Sequence, residues 1–143
     1  MATVAPPLVA LVDFHDAKVS EVRLLPGGCV ILSFSTINVF ERTAEEDRFD
    51  VWVYRMTLLT EDVKSLQSSG TWSVDTFVAE LTVDGEAPKG DPWVFGADGG
   101  AHQFALAFIG GASILWTGTR AVLKTSARVK YLERWEGPLV SSV

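Results

Sequence analysis

The sequence predicts an all-β fold, an antiparallel sandwich or partly open barrel of about seven to eight strands with at most one short helix. Gly and Pro punctuate the chain at short intervals, and the runs between them are rich in Val, Thr, Phe and Trp, which favour strands. A parallel α/β fold would need repeated crossover helices, and the sequence shows none. We interpret residues 1–143 as a single β domain, long enough to bury a core without disulfides.

One turn and one charged connection separate the first three predicted strands. Residues 17–25 and 29–40 flank the turn Pro26-Gly27-Gly28, which predicts a β-hairpin. A charged connection at 41–48 follows, and residues 49–59 then alternate as a half-buried strand does.

The middle of the chain holds the best helix candidate. Thr60 is a suitable N-cap and two acids follow it, so residues 60–67 predict a helix of barely two turns. Residues 72–83 fit both a helical stripe and an alternating strand. Their β-branched content and the Asp84-Gly85 turn that follows favour a strand.

The last third predicts a long loop and three strands. Residues 86–100 are rich in Gly and Pro and form the loop, which contains Trp93 and Phe95. Residues 102–109 and 113–123 flank Gly110-Gly111 as a second hairpin.

Residues 127–135 predict the final strand, with Arg128 and Lys130 facing outward and Val129 and Tyr131 facing inward. The five tryptophans are expected to fill the core or cover sheet edges. They are Trp52, Trp72, Trp93, Trp116 and Trp135.

The charge is acidic and unevenly distributed. The net charge is −6, with 16 acids against seven bases through Gly100 and five bases against two acids after it. An acidic chain argues against nucleic-acid binding, because phosphate contacts need clustered Lys and Arg. It favours fast docking to a basic partner, and the basic C-terminal third is expected to be a solvated sheet face.

Compartment is inferred from what the sequence lacks. Cys29 is the single cysteine, so no intrachain disulfide can form, and its apolar neighbours predict a buried thiol. The N-terminus has no basic region and carries Pro6-Pro7, unlike a signal peptide, and the longest apolar runs fall short of a membrane span. We expect a cytoplasmic protein with no membrane association.

Motifs for catalysis and cofactor binding are missing. Cys29, His15 and His102 are too few and too far apart for a zinc site, so no metal or other cofactor is expected. Gly111-Ala112-Ser113-Ile114-Leu115 lacks the second Gly of a nucleophile elbow, and no phosphate-binding loop occurs.

Phe14-His15-Asp16 is the one remaining candidate for chemistry. A carboxylate beside a histidine can orient a general base, which would suit a hydrolase-type enzyme using His15. Neighbouring residues of a strand point to opposite faces, so His15 and Asp16 pair only if the backbone turns there. The structural alternative places Phe14 in the core and uses the two polar residues to hydrogen-bond backbone groups.

Several segments together suggest a family. The Phe14-His15-Asp16 segment and the strand and Gly turn after it resemble the start of small bacterial domains of unassigned function. Several of those domains are classed with the immunity proteins of polymorphic-toxin and contact-type secretion systems. Residues 70–85 look like their central hairpin strand, and residues 113–123 look like their closing strands. The resemblance implies an all-β inhibitor of a toxin and transfers no catalytic residues.

An immunity protein needs a rigid scaffold and a surface complementary to its toxin. Many toxins that act on nucleic acids are basic, so the predicted partner is a basic cognate toxin, and an acidic connection between strands is the predicted binding site. Its residues are Glu41, Glu45, Glu46, Asp47 and Asp50.

Two other interpretations remain beside the immunity protein. The aromatic content and the loop at 86–100, acting as a lid, fit a small-ligand-binding β barrel. A homodimer could also form through an open sheet edge.

Overall fold

The computed structural model describes residues 9–88 and 93–137, which form nine strands and no helix. The strands are β1 Val9–Leu25, β2 Cys29–Arg42, β3 Arg48–Glu61, β4 Ser65–Ser69, β5 Val78–Val83, β6 Val94–Phe95, β7 His102–Phe108, β8 Ser113–Gly118 and β9 Arg120–Glu136. A membrane-crossing helix is therefore absent from these two ranges. The Pro6-Pro7 pair and residues 89–92 of the predicted loop lie outside the described residues.

The strands form two antiparallel sheets. The five-stranded sheet has the order β1-β2-β3-β9-β6, and the four-stranded sheet has the order β4-β8-β7-β5. Large side chains from both sheets, such as Tyr54 and Trp116, are fully buried in one core. The predicted all-β sandwich is confirmed, with nine strands in the described ranges instead of seven or eight.

Both predicted hairpins are present. Leu25 pairs with Cys29 across the first turn, where Gly27 and Gly28 have φ angles of 92° and 82° that side chains disfavour. Ala107 pairs with Ser113 across the second. The first strand begins earlier than predicted, at Val9, because a bulge around the Phe-His-Asp segment lets the chain bend without leaving the sheet.

The predicted helix at 60–67 is wrong. Thr60 and Glu61 end β3, Asp62 turns the chain with a φ of 52°, and β4 begins at Ser65. The backbone N–H groups of Val63 and Lys64 donate to Gly28 and Thr117 instead of to a helical turn. A two-turn helix is marginal by itself, so these pairings with neighbouring strands prevail.

The strand predicted at 72–83 is confirmed only from Val78 onward. Thr76 N–H donates to Ser73 O at 3.0 Å, and Ser73 N–H donates to Thr76 Oγ1 at 2.9 Å, which makes a turn. Ser and Thr side chains compete with sheet hydrogen bonding in this way.

Gly118 lets the chain pass from the four-stranded sheet to the five-stranded sheet. A Cβ at this position would lie 2.5 Å from Thr60 Cγ2 and 2.7 Å from Glu61 O. Only glycine allows β3 to approach so closely. The predicted strand at 113–123 is consequently two strands, β8 and the start of β9.

Candidate functional site

The nominated acidic residues separate into three groups. Glu45, Glu46 and Asp47 are exposed in the connection between β2 and β3, which we call the acidic loop, residues 43–47. Asp50 lies on β3, half-buried, with a carboxylate oxygen 3.8 Å from Arg134 Nε. Glu41 is only 5% exposed. The prediction that all five share one loop is wrong, because β2 runs to Arg42 and β3 begins at Arg48.

The acidic loop is braced by its own hydrogen bonds. Thr43 Oγ1 donates to Arg48 O at 2.9 Å and accepts from Glu45 N–H at 3.2 Å. Gly137 N–H donates to Asp47 O at 2.8 Å. Arg48 lies 2.5 Å from Glu45 Oε2 and 3.6 Å from Glu136 Oε1. The loop therefore presents its carboxylates from a fixed backbone.

Glu41 has a structural role. Tyr54 donates a short hydrogen bond to Glu41 Oε2, and Arg128 Nη2 donates to Glu41 Oε1 at 2.6 Å. The Arg128 guanidinium carbon lies 3.6 Å from the centroid of the Trp52 ring. Burial, and then the Glu41 carboxylate, raise the pKa of Tyr54 above its ordinary value, so its hydroxyl stays a donor.

The distal half of β9 is exposed, which contradicts the predicted orientation of Val129 and Tyr131. These side chains are 48% and 44% exposed. Leu132 and Trp135 are similarly exposed, so four of the eight exposed large hydrophobic residues in the described ranges lie here. We call these four residues the distal β9 surface. Trp135 pairs with Phe49 and Tyr131 pairs with Trp52, so these two rings lie on opposite faces of the sheet.

Three β-bulges explain the wrong orientation. Along β3, consecutive pairs skip Ser126, Val129 and Leu132 of β9. At each skip, β9 has one residue more than β3, so three residues of β9 lie opposite two residues of β3. A search for strict alternation cannot detect this pattern.

The outer edge of β9 is open but poorly suited to pairing. Within the described ranges, β6 pairs with Ala121 and Val122, and Trp93 just before it accepts the Leu123 N–H. Bulges and exposed Lys124 and Lys130 occupy the rest, and both features oppose edge-to-edge pairing. A homodimer through a sheet edge stays a prediction, and these features disfavour this edge as its location.

The acidic loop and the Trp135 end of the distal β9 surface are neighbours. Gly137, one residue beyond β9, bonds to Asp47 of the loop. Trp135 pairs with Phe49 next to the loop, and its ring lies 6.0 Å from that of Phe40. The exposed carboxylates of the loop and the exposed Trp135 ring therefore border each other.

The Phe-His-Asp segment has the contacts of a structural element. Phe14 packs against Phe34 in the core, with ring centroids 5.6 Å apart. His15 Nδ1 lies 3.0 Å from Ala79 O, and Asp13 accepts the His15 N–H at 3.0 Å. Asp16 has a φ of 67°, so the backbone does turn, and its carboxylate lies 3.5 Å from His15 Nε2. Burial raises the pKa of Asp13.

The tryptophans and the loop aromatics occupy separate places. Trp116 is in the core, Trp72 stacks on Phe108, and Trp52 packs under Arg128. Phe95 packs on Phe14, with ring centroids 6.2 Å apart. In the described part of the chain, these rings do not converge on a common ligand site.

Cys29 opens β2 and is partly exposed, where the sequence predicted burial. The five bases predicted on a solvated face are all exposed on β9. No three His, Cys, Asp or Glu residues of the described ranges are arranged to hold a metal ion.

Comparison of the chain with known family models, with curated proteins and with solved structures finds no match.

Proposed function

We propose that this protein is a non-catalytic protein-binding domain that neutralises a basic bacterial toxin in the cytoplasm. The observation that carries the proposal is the braced, exposed acidic loop. A loop already held in one conformation loses little entropy on binding, so its charges contribute more to affinity.

The charges of the loop suit a basic partner. In the described ranges, Glu46 and Asp47 take part in no ion pair, and Glu45 shares Arg48 with Glu136. Uncompensated carboxylates on an acidic chain accelerate encounter with a basic surface and help to fix its orientation.

The distal β9 surface supplies the apolar contact that charge alone lacks. Trp is enriched among residues that dominate binding energy, and Trp135 lies exposed next to the acidic loop. We assign Trp135 to the centre of the interface and the loop carboxylates to its rim.

Affinity capture tests this assignment. The full chain, immobilised, is expected to retain one stoichiometric basic protein from the lysate of its source cells at low salt and to release it at high salt. The variant E45Q/E46Q/D47N is expected to retain about tenfold less, a loss of roughly 1.4 kcal/mol.

A matched variant controls for net charge. D75N/E80Q/E86Q removes three exposed acids elsewhere, and its capture is expected to equal that of the original chain. Equal losses in both variants would show that only the overall charge matters, and capture of no protein at either salt would refute the proposed function.

A further inference from the structure

His102 lies between two carboxylates that come from different loops. Its Nδ1 is 2.6 Å from Asp84 Oδ2, and its Nε2 is 2.7 Å from Asp98 Oδ1. The imidazole is only 14% exposed, whereas both carboxylates are largely exposed. The histidine is thus held at both ring nitrogens.

Hydrogen-bond chemistry restricts the charge of this ring. A neutral imidazole has a single N–H donor, and ionised carboxylates only accept. Both short contacts are satisfied together only by the imidazolium ion. In agreement, hydrogen bonds to the two carboxylates raise the pKa of His102 above its ordinary value. The Gln103 N–H and then His102 lower the pKa of Asp84, and His102 and then the Gly100 N–H lower the pKa of Asp98.

The cluster joins a segment that crosses between the sheets. Asp84 follows β5 of the four-stranded sheet, and Asp98 follows β6 of the five-stranded sheet. We call the described part of the crossing, residues 93–100, the β6 strap. It covers the edge of β9 through the Leu123 N–H bond to Trp93 O at 2.8 Å, and it places Phe95 in the core.

The strap also packs directly on the histidine. A Cβ at Gly96 would lie 2.7 Å from His102 Cδ2, so the strap backbone rests against the ring. Its position therefore depends on the position of the imidazole.

We propose that protonated His102 is a pH-dependent latch that holds the β6 strap on the sandwich. Loss of its proton breaks the contact with Asp98 and so releases the strap. Asp84 also accepts the Gln103 N–H at 2.8 Å, which fixes it beside the histidine. The neutral ring keeps its N–H toward Asp84, so Nε2 and the Asp98 carboxylate then face each other as two acceptors and separate.

The charges around His102 come from both sides of the ring. Asp84 faces it from the turn after β5, and Asp98 faces it from the strap. On β7, Phe104 contributes an aromatic edge. Gly118 of β8 pairs with His102 and carries no charge, and Asp62 accepts from Thr119 Oγ1 beyond it. The negative surroundings favour the imidazolium.

The direction of the pH effect follows from the changed pKa values of His102, Asp84 and Asp98. A raised histidine pKa stabilises the closed strap fully below about 6.5, and this contribution is lost as pH rises through the higher value in the folded protein. The lowered carboxylate pKa values give a contribution that is fully present above about 3.8 and is lost as pH falls through the lower values in the folded protein.

Hydrogen exchange of the full chain tests the latch. Between about pH 5 and about pH 9, after correction for intrinsic exchange, the amides of the β6 strap and of Leu123 are expected to exchange about tenfold faster at the alkaline end. Core amides of β2 are expected to show no such increase.

Two variants separate the latch from a purely structural contact. In D98N the amide can donate to neutral Nε2 or accept from the imidazolium, so the pH dependence of strap exchange is expected to flatten. H15Q changes the other histidine and is expected to keep the pH dependence of strap exchange. Wild-type strap exchange that is independent of pH, or a D98N profile like the wild type, would overturn the proposal.

Discussion

Replacement of Trp116 by alanine is expected to lower the free energy of unfolding by about 3–5 kcal/mol, the range for large aromatic residues in cores. Trp116 is fully buried on β8 and stacks on Phe104, with ring centroids 5.6 Å apart. Its Nε1–H donates to Thr60 Oγ1 at 3.0 Å and so joins the two sheets. Chemical denaturation with an unchanged m-value is the measurement.

Two further variants show which contacts of Trp116 account for the loss in the free energy of unfolding. Trp116→Phe keeps a ring in the core and removes the donor to Thr60, so it is expected to cost about 1–3 kcal/mol. Trp135→Ala removes an exposed ring of the same type and is expected to cost less than half as much as Trp116→Ala. Equal costs for the two alanine variants would contradict the placement of Trp116 between the sheets.

Replacement of Arg128 by methionine is expected to cost about 2–3 kcal/mol, because it leaves the buried Glu41 carboxylate without its cation. The cost is set below that of a fully buried pair, since the Arg128 side chain is 39% exposed. The Trp52 ring also loses the guanidinium that stacks on it. Thermal or chemical unfolding at neutral pH measures the effect.

A double-mutant cycle identifies the cause. Glu41→Gln removes the charge while its amide oxygen still accepts from Tyr54, so E41Q/R128M is expected to recover most of the loss caused by R128M alone. Additive costs in the double variant would show that the ion pair between Glu41 and Arg128 contributes nothing to stability.

Local patterns predicted much of this fold correctly. The two hairpins depend on short Gly-containing turns between apolar runs, and both the pattern and the structure are local. The helix prediction failed because residues 60–64 bond to partners remote in sequence. Val63 donates to Gly28, Lys64 donates to Thr117, and Thr60 accepts from Trp116. No local signal reports such partners.

The candidate site was predictable only in part. Glu45, Glu46 and Asp47 are a continuous acidic run in a connection, so their exposure was evident from the sequence. The burial of Glu41 depends on Arg128, 87 residues away. In the His102 cluster, Asp98 is four residues from the histidine, whereas Asp84 is 18 residues away in another turn, so spacing in the sequence could not reveal the full cluster.

The most direct test of the proposed function is a neutralisation assay with the partner protein that the affinity capture identifies. Expression of that protein alone in a bacterial host is expected to arrest growth, and co-expression of this chain is expected to restore growth. Co-expression of E45Q/E46Q/D47N is expected to restore it poorly, while D75N/E80Q/E86Q acts like the original chain. Growth arrest that persists with the original chain, or a captured protein that does not arrest growth, would contradict the account.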